Sequence, residues 1–243
     1  MQSLSLIERC IYDTPLVLTS LPEDLKRHVN DLMPFDTGVE IECSALRGND
    51  TNFDVLKSEI LKNIPDLKYL DVNNYEQRIR LPSGIKGMIC LYEFSIQLKK
   101  YFGLNPESGI HYHTDLTDIY DLDLVNNNLL SKVKEPLLSE LDSWEYKGSY
   151  NRRDVSFSRC WVRFEKHKKT MEVRIGEMTF DYSLLIKRIL HCQYLNKLVR
   201  SVAKGNELQL GILQKKLREL NRERESIQIE EVKQVVSNRV IRI

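Results

Sequence analysis

Carboxylates and imidazoles spaced two residues apart are the feature of this sequence with the clearest chemical potential. Glu40 and Glu42 lie in one alternating segment, and His111 and His113 lie in another. In a β-strand, residues i and i+2 point to the same face, with Cα atoms roughly 6–7 Å apart. Each pair could therefore turn two metal ligands to one side of a sheet. The plainer interpretation is a solvent-facing strand edge for the glutamate pair and a satisfied surface or core pair for the histidine pair.

Two further alternating segments combine carboxylates with arginines. Glu172 and Arg174 share one face of a predicted strand, and Glu76 is followed by Arg78 and Arg80. An arginine beside a carboxylate is suited to holding a phosphate near a metal ion, although exposed salt-bridged strands show the same pattern. Because carboxylates gathered on one face would repel one another, the pattern predicts that divalent cations, most naturally Mg²⁺, bind there.

The elements that must position these residues mix helices and strands without a regular order. Alternation predicts strands over 38–43, 75–81, 109–114, 158–165 and 170–175, with a further short strand over 16–19. Apolar periodicity predicts helices over 22–33, 53–64, 84–102, 124–144 and 181–204, with a kink or break at Pro136. The polar, basic composition of 146–154 predicts a loop there. This order favours an α+β fold with a largely antiparallel sheet. Glycine-rich nucleotide-binding motifs are absent.

Length and composition indicate a globular protein with a substantial core. The chain has 243 residues, of which 42% are hydrophobic and 29% charged, and a net charge of +1. We expect one catalytic domain over 1–204 and a helical extension over 205–243, whose apolar stripe within 206–225 could pack on its own domain, self-associate or dock a partner protein. The near-neutral charge disfavours nucleic acid as a partner, although the basic, aromatic segment 146–169 leaves that alternative open.

The sequence predicts a cytoplasmic protein that does not enter a membrane. No apolar run approaches the roughly 18–20 residues that a membrane helix needs, and no signal peptide is visible. The five cysteines are scattered and form no CxxC motif. We therefore expect reduced thiols.

Four short motifs occur in order along the chain: GVEIE at 38–42, YEQR at 75–78, GIHYH at 109–113 and KTMEVR at 169–174. In order and spacing they resemble the amidoligase family of carboxylate–amine ligases, over about residues 36–195. The second motif matches loosely, and Val173 stands where the last motif often has an aromatic residue. The resemblance implies a fold like the catalytic domain of glutamine synthetase and glutamate–cysteine ligase: a curved, mainly antiparallel half-barrel with helices on its convex face.

The resemblance also implies that ATP and two Mg²⁺ ions bind in the concavity. By motif position, Glu40, His111 and Glu172 would hold the ion at the nucleotide phosphates. Glu42 and Glu76 would hold the ion on the substrate side.

Three arginines and one histidine complete the implied site. Arg174 would contact the transferred phosphate, and His113 would support the metal ligands or face the substrate. Arg78 and Arg80 fit a phosphate-binding wall by their alternation with Ile79.

The activity implied by the resemblance is ATP-dependent amide formation through an acyl phosphate. The carboxylate and amine substrates, small molecules or peptides, are not identified by the motifs. Two alternatives remain: an ATP:guanidino-type phosphotransferase on the same scaffold, and a catalytically decayed member that acts as a binding or structural protein.

Overall fold

A mixed sheet of seven strands forms the centre of the protein. The computed structural model describes residues 2–46, 51–103, 109–142, 144, 152–177 and 179–205. The strands in these residues are β1 (Thr37–Ile41), β2 (Ser44–Ala45), β3 (Tyr69–Val72), β4 (Gln77–Leu81), β5 (Phe102–Gly103), β6 (Gly109–Asp115), β7 (Arg152–Ser156), β8 (Cys160–Glu165) and β9 (Thr170–Glu177). The order in the large sheet is β3-β4-β1-β6-β9-β8-β7, and β2 pairs with β5 separately.

Neighbouring strands of the large sheet are antiparallel, except that the edge strand β7 runs parallel to β8. Within the described ranges the sheet is open, with β3 and β7 at its edges, so it is not a closed barrel. The prediction of an α+β fold with a largely antiparallel sheet is confirmed.

Helices cover the apolar side of this sheet. They are α1 (Gln2–Asp13), α2 (Glu23–Asn30), α3 (Phe53–Asn63), α4 (Gly84–Tyr101), α5 (Thr117–Asp121), α6 (Asn127–Leu141) and α7 (Tyr182–Ala203), with a 3₁₀ helix over Pro15–Ser20. The long α7 contacts β6 and β9, while α1, α4 and α6 pack against α7. In the described part of the chain, no helix combines the length and apolar character needed to cross a membrane.

Alternation along the central strands separates a buried apolar face from a polar face. On β1, Val39 and Ile41 are fully buried, and on β6 the ring of Tyr112 packs edge-on against Trp144 beside α7. On β4, Gln77, Ile79 and Leu81 are likewise buried while the arginines between them are exposed. The period-two pattern of the sequence therefore predicts the two faces of the sheet correctly.

The sequence-based element predictions differ from the structure in several places. Residues 16–19 form part of the 3₁₀ helix, which begins at Pro15 and buries Leu18 but not its apolar neighbours. The loop predicted over 146–154 overlaps β7, a charged strand that buries only Val155 deeply; charge on an edge strand hides the alternation. Of the kink or break predicted at Pro136, the break does not occur, because α6 continues through this residue.

The sequence also led to predictions for the cysteines and for the C-terminal extension. All five cysteines are free thiols, and burial raises the pKa of Cys90 to about 11 and that of Cys43 to about 12. Gly205, at a φ of 68°, follows α7 as a helix-terminating glycine. The expected helix within 206–225 lies outside the described residues.

A buried glutamine fastens α7 to the start of β1. Gln193 Nε2 donates to the Phe35 carbonyl at 2.8 Å and to Thr37 Oγ1 at 2.7 Å, and Gln193 Oε1 accepts from the Phe35 amide at 3.3 Å. The side chain is fully buried. It thus fixes the strand that carries Glu40 to the central helix.

We expect Gln193→Met to lower the free energy of unfolding by about 1–3 kcal/mol, because the backbone groups of Phe35 lose their partners while the volume changes little. Urea unfolding followed by circular dichroism measures this change. The control is Lys99→Met on the exposed side of α4, expected to stay within about 0.5 kcal/mol of the wild type. Equal stabilities for the two variants would contradict the role of Gln193.

Candidate metal centre

The register of β1 and β6 brings a glutamate and two histidines together. Glu40 lies opposite His111, and Gly38 lies opposite His113. Glu40 Oε2 is 3.5 Å from His111 Nδ1, and Glu40 Oε1 is 3.2 Å from His113 Nε2. Residues separated by about seventy positions thus share one face through antiparallel pairing.

Gly38 makes room for His113. A Cβ atom on Gly38 would lie 3.1 Å from the Cβ of His113, closer than ordinary van der Waals contact. Without that atom, the imidazole packs down on β1 and its Nε2 reaches Glu40. The glycine two residues before the first glutamate of GVEIE therefore has a steric role in this face.

Strand β9 adds the most deeply buried charges. Glu172 lies opposite His113, with its Oε1 3.7 Å from His113 Nε2 and 3.8 Å from His111 Nδ1. Arg174 Nη1 donates to the same carboxylate. A β-bulge interrupts the pairing of β6 with β9 between Ile110 and Tyr112, beside Arg174, and such bulges redirect side chains.

Glu76 and Arg78 approach the cluster from β4. Arg78 lies opposite Glu40 and spans two carboxylates: its Nη2 is 2.5 Å from Glu76 Oε2, and its Nε is 3.8 Å from Glu40 Oε1. Two amides, those of Tyr75 and Glu76, donate to Asn73 Oδ1, which shapes the turn that carries Glu76.

Glu42 and Arg80 lie farther from the cluster. Glu42 follows the end of β1; its Oε2 accepts from the Gly109 amide at 3.1 Å, and its Oε1 is 3.7 Å from His111 Nε2. Arg80 pairs with Asp36 at 3.3 Å instead of with the glutamates. The structure thus brings together Glu40, Glu76, Arg78, His111, His113, Glu172 and Arg174, with Glu42 at their edge and Arg80 apart.

Three charged residues of this face are not among the site residues assigned from the sequence. Lys168 Nζ donates to Glu40 Oε1 at 3.0 Å. On β8, Arg163 Nη2 is 2.5 Å from Glu165 Oε2, and its Nη1 is 3.7 Å from Glu172 Oε2. Arg163 and Glu165 alternate on a strand next to β9, and this alternation is a signal that could have identified these two residues.

Several buried ligand atoms of this cluster have ion-pair neighbours but make no hydrogen bond of normal geometry, which distinguishes the cluster from an ordinary salt-bridge network. The side chains of Glu172, His111 and His113 are 3%, 6% and 7% exposed. Among the described residues, Glu172 Oε2, His111 Nδ1 and His113 Nε2 are buried without a hydrogen bond of normal geometry. Buried polar atoms usually have a hydrogen-bond partner, so these nitrogen and oxygen atoms are suited to bind a cation.

Two groups of three residues have a suitable spacing for a cation. One is Glu40, His113 and Glu172, and the other is Glu40, Glu76 and His111; in each, the ligand atoms lie within 4.8 Å of one another. Glu40 belongs to both. The resemblance instead assigned His111 to Glu40 and Glu172, and Glu42 to Glu76, so the register groups the ligands differently. Carboxylate donors suit Mg²⁺ or Mn²⁺, and imidazole donors suit transition metals such as Zn²⁺, so this mixed set fits a divalent metal.

Electrostatics keep the shared ligand ionised. Burial raises the pKa of Glu40, but the two imidazoles and the Lys168 ammonium outweigh burial, so this pKa lies well below its usual range. Burial and the negative charge of Glu40 raise the pKa of Glu76, against the opposing effect of Arg78. Glu40 is therefore the negatively charged centre of the face.

Comparison with known proteins adds no relative to this picture: no protein-family model and no curated protein matches the chain.

We expect the wild type to bind two Mn²⁺ ions, Glu76→Gln to bind one, and Glu40→Gln to bind both at least about tenfold more weakly, because both groups share Glu40. Isothermal titration calorimetry gives the stoichiometry and affinity. The control is Glu135→Gln, an exposed change on α6 that should titrate as the wild type. Wild-type titrations from both site variants would contradict the assignment.

Proposed function

We propose that this protein is an ATP- and Mg²⁺-dependent carboxylate–amine ligase that forms an amide bond through an acyl phosphate. The observation that carries the proposal is the buried cluster of glutamates and histidines, whose ligand atoms include three without a hydrogen bond of normal geometry and which is flanked by arginines on one sheet face. The residues of this cluster come from the four motifs that resemble the amidoligase family. The order of the motifs suggests the class, and the convergence of their residues on one face is compatible with the shared metal site that the class requires.

We also propose that the sheet is a half-barrel of the glutamine synthetase type. A half-barrel like the catalytic domain of glutamine synthetase would place its ligands on the concave face and its helices on the convex face. In support, the polar side chains lie on one face of an open sheet, while α4 and α7 pack against the strands from the side of the buried apolar residues.

The residues of the chain divide into those that hold cations and those that contact phosphate. Glu40, with His113 and Glu172 on one side and Glu76 and His111 on the other, would hold two divalent cations. When bound, such cations neutralise the negative charge that develops during phosphoryl transfer. Glu42, held by the Gly109 amide, would stand beside the second group as a half-buried neighbour.

The arginines would orient the phosphates. Arg174 is buried beside Glu172, to which its Nη1 donates, and a guanidinium is a side chain that binds phosphate oxygens well. Arg78 and Arg163 lie at opposite sides of the cluster and are partly exposed, so both could contact an anionic ligand that enters from solvent. Arg80, paired with Asp36, is the least suited of the arginines that the sequence suggested.

The chemistry requires activation of a carboxylate and exclusion of water. Phosphoryl transfer from ATP converts the carboxylate to an acyl phosphate, and an amine then attacks the carbonyl carbon and releases phosphate. The deep burial of His111, His113 and Glu172 limits the access of water to the site, which protects such an intermediate from hydrolysis.

A binding or structural role is the second candidate, and charge compensation favours it. Arg174 pairs with Glu172, Arg78 with Glu76, Arg163 with Glu165 and Lys168 with Glu40. A network neutralised in this way can persist without a metal ion. The activity assay below distinguishes the two candidates.

We expect the purified protein to release ADP from ATP when supplied with Mg²⁺ and pooled carboxylic acids and amines. Mass spectrometry should find an amide, with free phosphate in solution. A stable phosphorylated compound would indicate the phosphotransferase instead. Absence of ADP from every pool, in a protein that is folded and binds metal, would favour the binding role.

Glu172→Gln should lower ADP formation by at least about a hundredfold, because a carboxylate that offsets the cation charge is lost. It should also lower stability, because Arg174 would lose its buried partner. Glu76→Gln, at a more exposed side chain, should lower activity with a smaller change in stability. The control is Glu135→Gln, and undiminished turnover by both site variants would refute the mechanism.

A further inference from the structure

The turn between β8 and β9 places a lysine on the polar face. Lys168 lies in this turn, next to Lys169, which adopts a φ of 50°. Its Nζ reaches Glu40 on β1, although β6 lies between β1 and β9 in the sheet. The side chain of Lys168 is 55% exposed, so it approaches the buried glutamate from the solvent side.

The ammonium contacts an oxygen of the glutamate that both candidate cation-binding groups share. Glu40 Oε1 is 3.0 Å from Lys168 Nζ and 3.2 Å from His113 Nε2. Glu40 is the residue common to both cation-binding groups. A divalent cation bound at this oxygen would stand within a few ångströms of the ammonium and repel it.

Lys168 differs in this respect from the other cations on the face. Arg174 is buried and donates to Glu172, and Arg78 is 2.5 Å from Glu76, so each has a carboxylate of its own. Lys168 contacts the shared ligand and has a long, exposed, flexible side chain on a turn. It is the cation that can leave Glu40 at the least cost.

We infer that Lys168 is an exchangeable counter-ion. In the metal-free protein its ammonium neutralises Glu40; when a divalent cation binds, the ammonium leaves that oxygen and contacts the phosphate groups of the ligand that accompanies the cation. The inference rests on the proposed function, because it takes the cluster as the site of a metal–phosphate ligand. It assigns to Lys168 the task of coupling the binding of the metal to the binding of the anion.

Calorimetric titration with Mn²⁺ alone tests the first half of the inference. Lys168→Gln should bind Mn²⁺ about threefold to fivefold more tightly than the wild type, the range that loss of one exposed ion pair accounts for. The control is Lys166→Gln, which removes the same charge from the same turn but from a side chain that lies over Phe157. This control should titrate as the wild type.

Titration of the Mn²⁺-saturated proteins with inorganic pyrophosphate tests the second half. Here Lys168→Gln should bind severalfold more weakly than the wild type and Lys166→Gln. The opposite signs of the two effects separate ion exchange from a general change in surface charge, which would alter both variants alike.

Each other outcome overturns the inference. Unchanged or weaker Mn²⁺ binding by Lys168→Gln would refute the displacement of Lys168 by the metal ion. Unchanged pyrophosphate binding would refute the contact of Lys168 with phosphate. Neither titration contains ATP, so they do not depend on turnover. ADP formation with unchanged Mn²⁺ binding would refute the exchange and leave the ligase, whereas the expected titrations without ADP formation would leave the exchange and refute the ligase. A wild type that binds no Mn²⁺ would refute both.

Discussion

The antiparallel register between β1 and β6 is the constraint on which the polar face depends. It sets Glu40 opposite His111, and the register of β6 with β9 then sets Glu172 opposite His113. A slip of one residue would exchange the faces of a strand, turning its charged side chains into the core. Fully buried residues such as Val39 prevent such a slip. The packing that forms the core therefore also assembles the candidate metal ligands.

Charge balance explains how this face tolerates buried carboxylates. Glu172 has Arg174 beside it, and Glu40 has Lys168, so repulsion among carboxylates does not by itself require a metal ion. The property that charge balance leaves unexplained is the hydrogen bonding of three buried atoms, one each on His111, His113 and Glu172. Arginine and lysine supply charge at the edges of these groups, but these three atoms still have no hydrogen-bond partner of normal geometry. A cation would satisfy these atoms directly.

Local patterns predict the faces of the strands, but not the order of the strands. Alternation is enough to place Glu40, His111 and Glu172 on polar sides, because a strand that is buried on one side has two distinct faces. Which histidine joins which glutamate depends on register and on the bulge beside Arg174, and neither is a local property. The contact of Lys168 with Glu40 spans 128 positions and requires β9 to lie two strands from β1. The sequence pattern does not predict the edge strand β7 for a different reason: charged residues replace the alternation that is typical of a half-buried strand.

Rigidity and mobility are distributed unequally across the face. Glu172 and Arg174 belong to a central strand and are buried, so core packing fixes their positions. Lys168 belongs to a turn, where an exposed side chain exchanges rotamers in picoseconds to nanoseconds. A site that holds a small cation needs ligands fixed to a fraction of an ångström, whereas a site that admits and releases an anion needs donors that can move. Glu40 joins the two regions, because it lies on a central strand yet contacts the mobile ammonium. The same oxygen can therefore be a ligand in one state of the site and half of an ion pair in another.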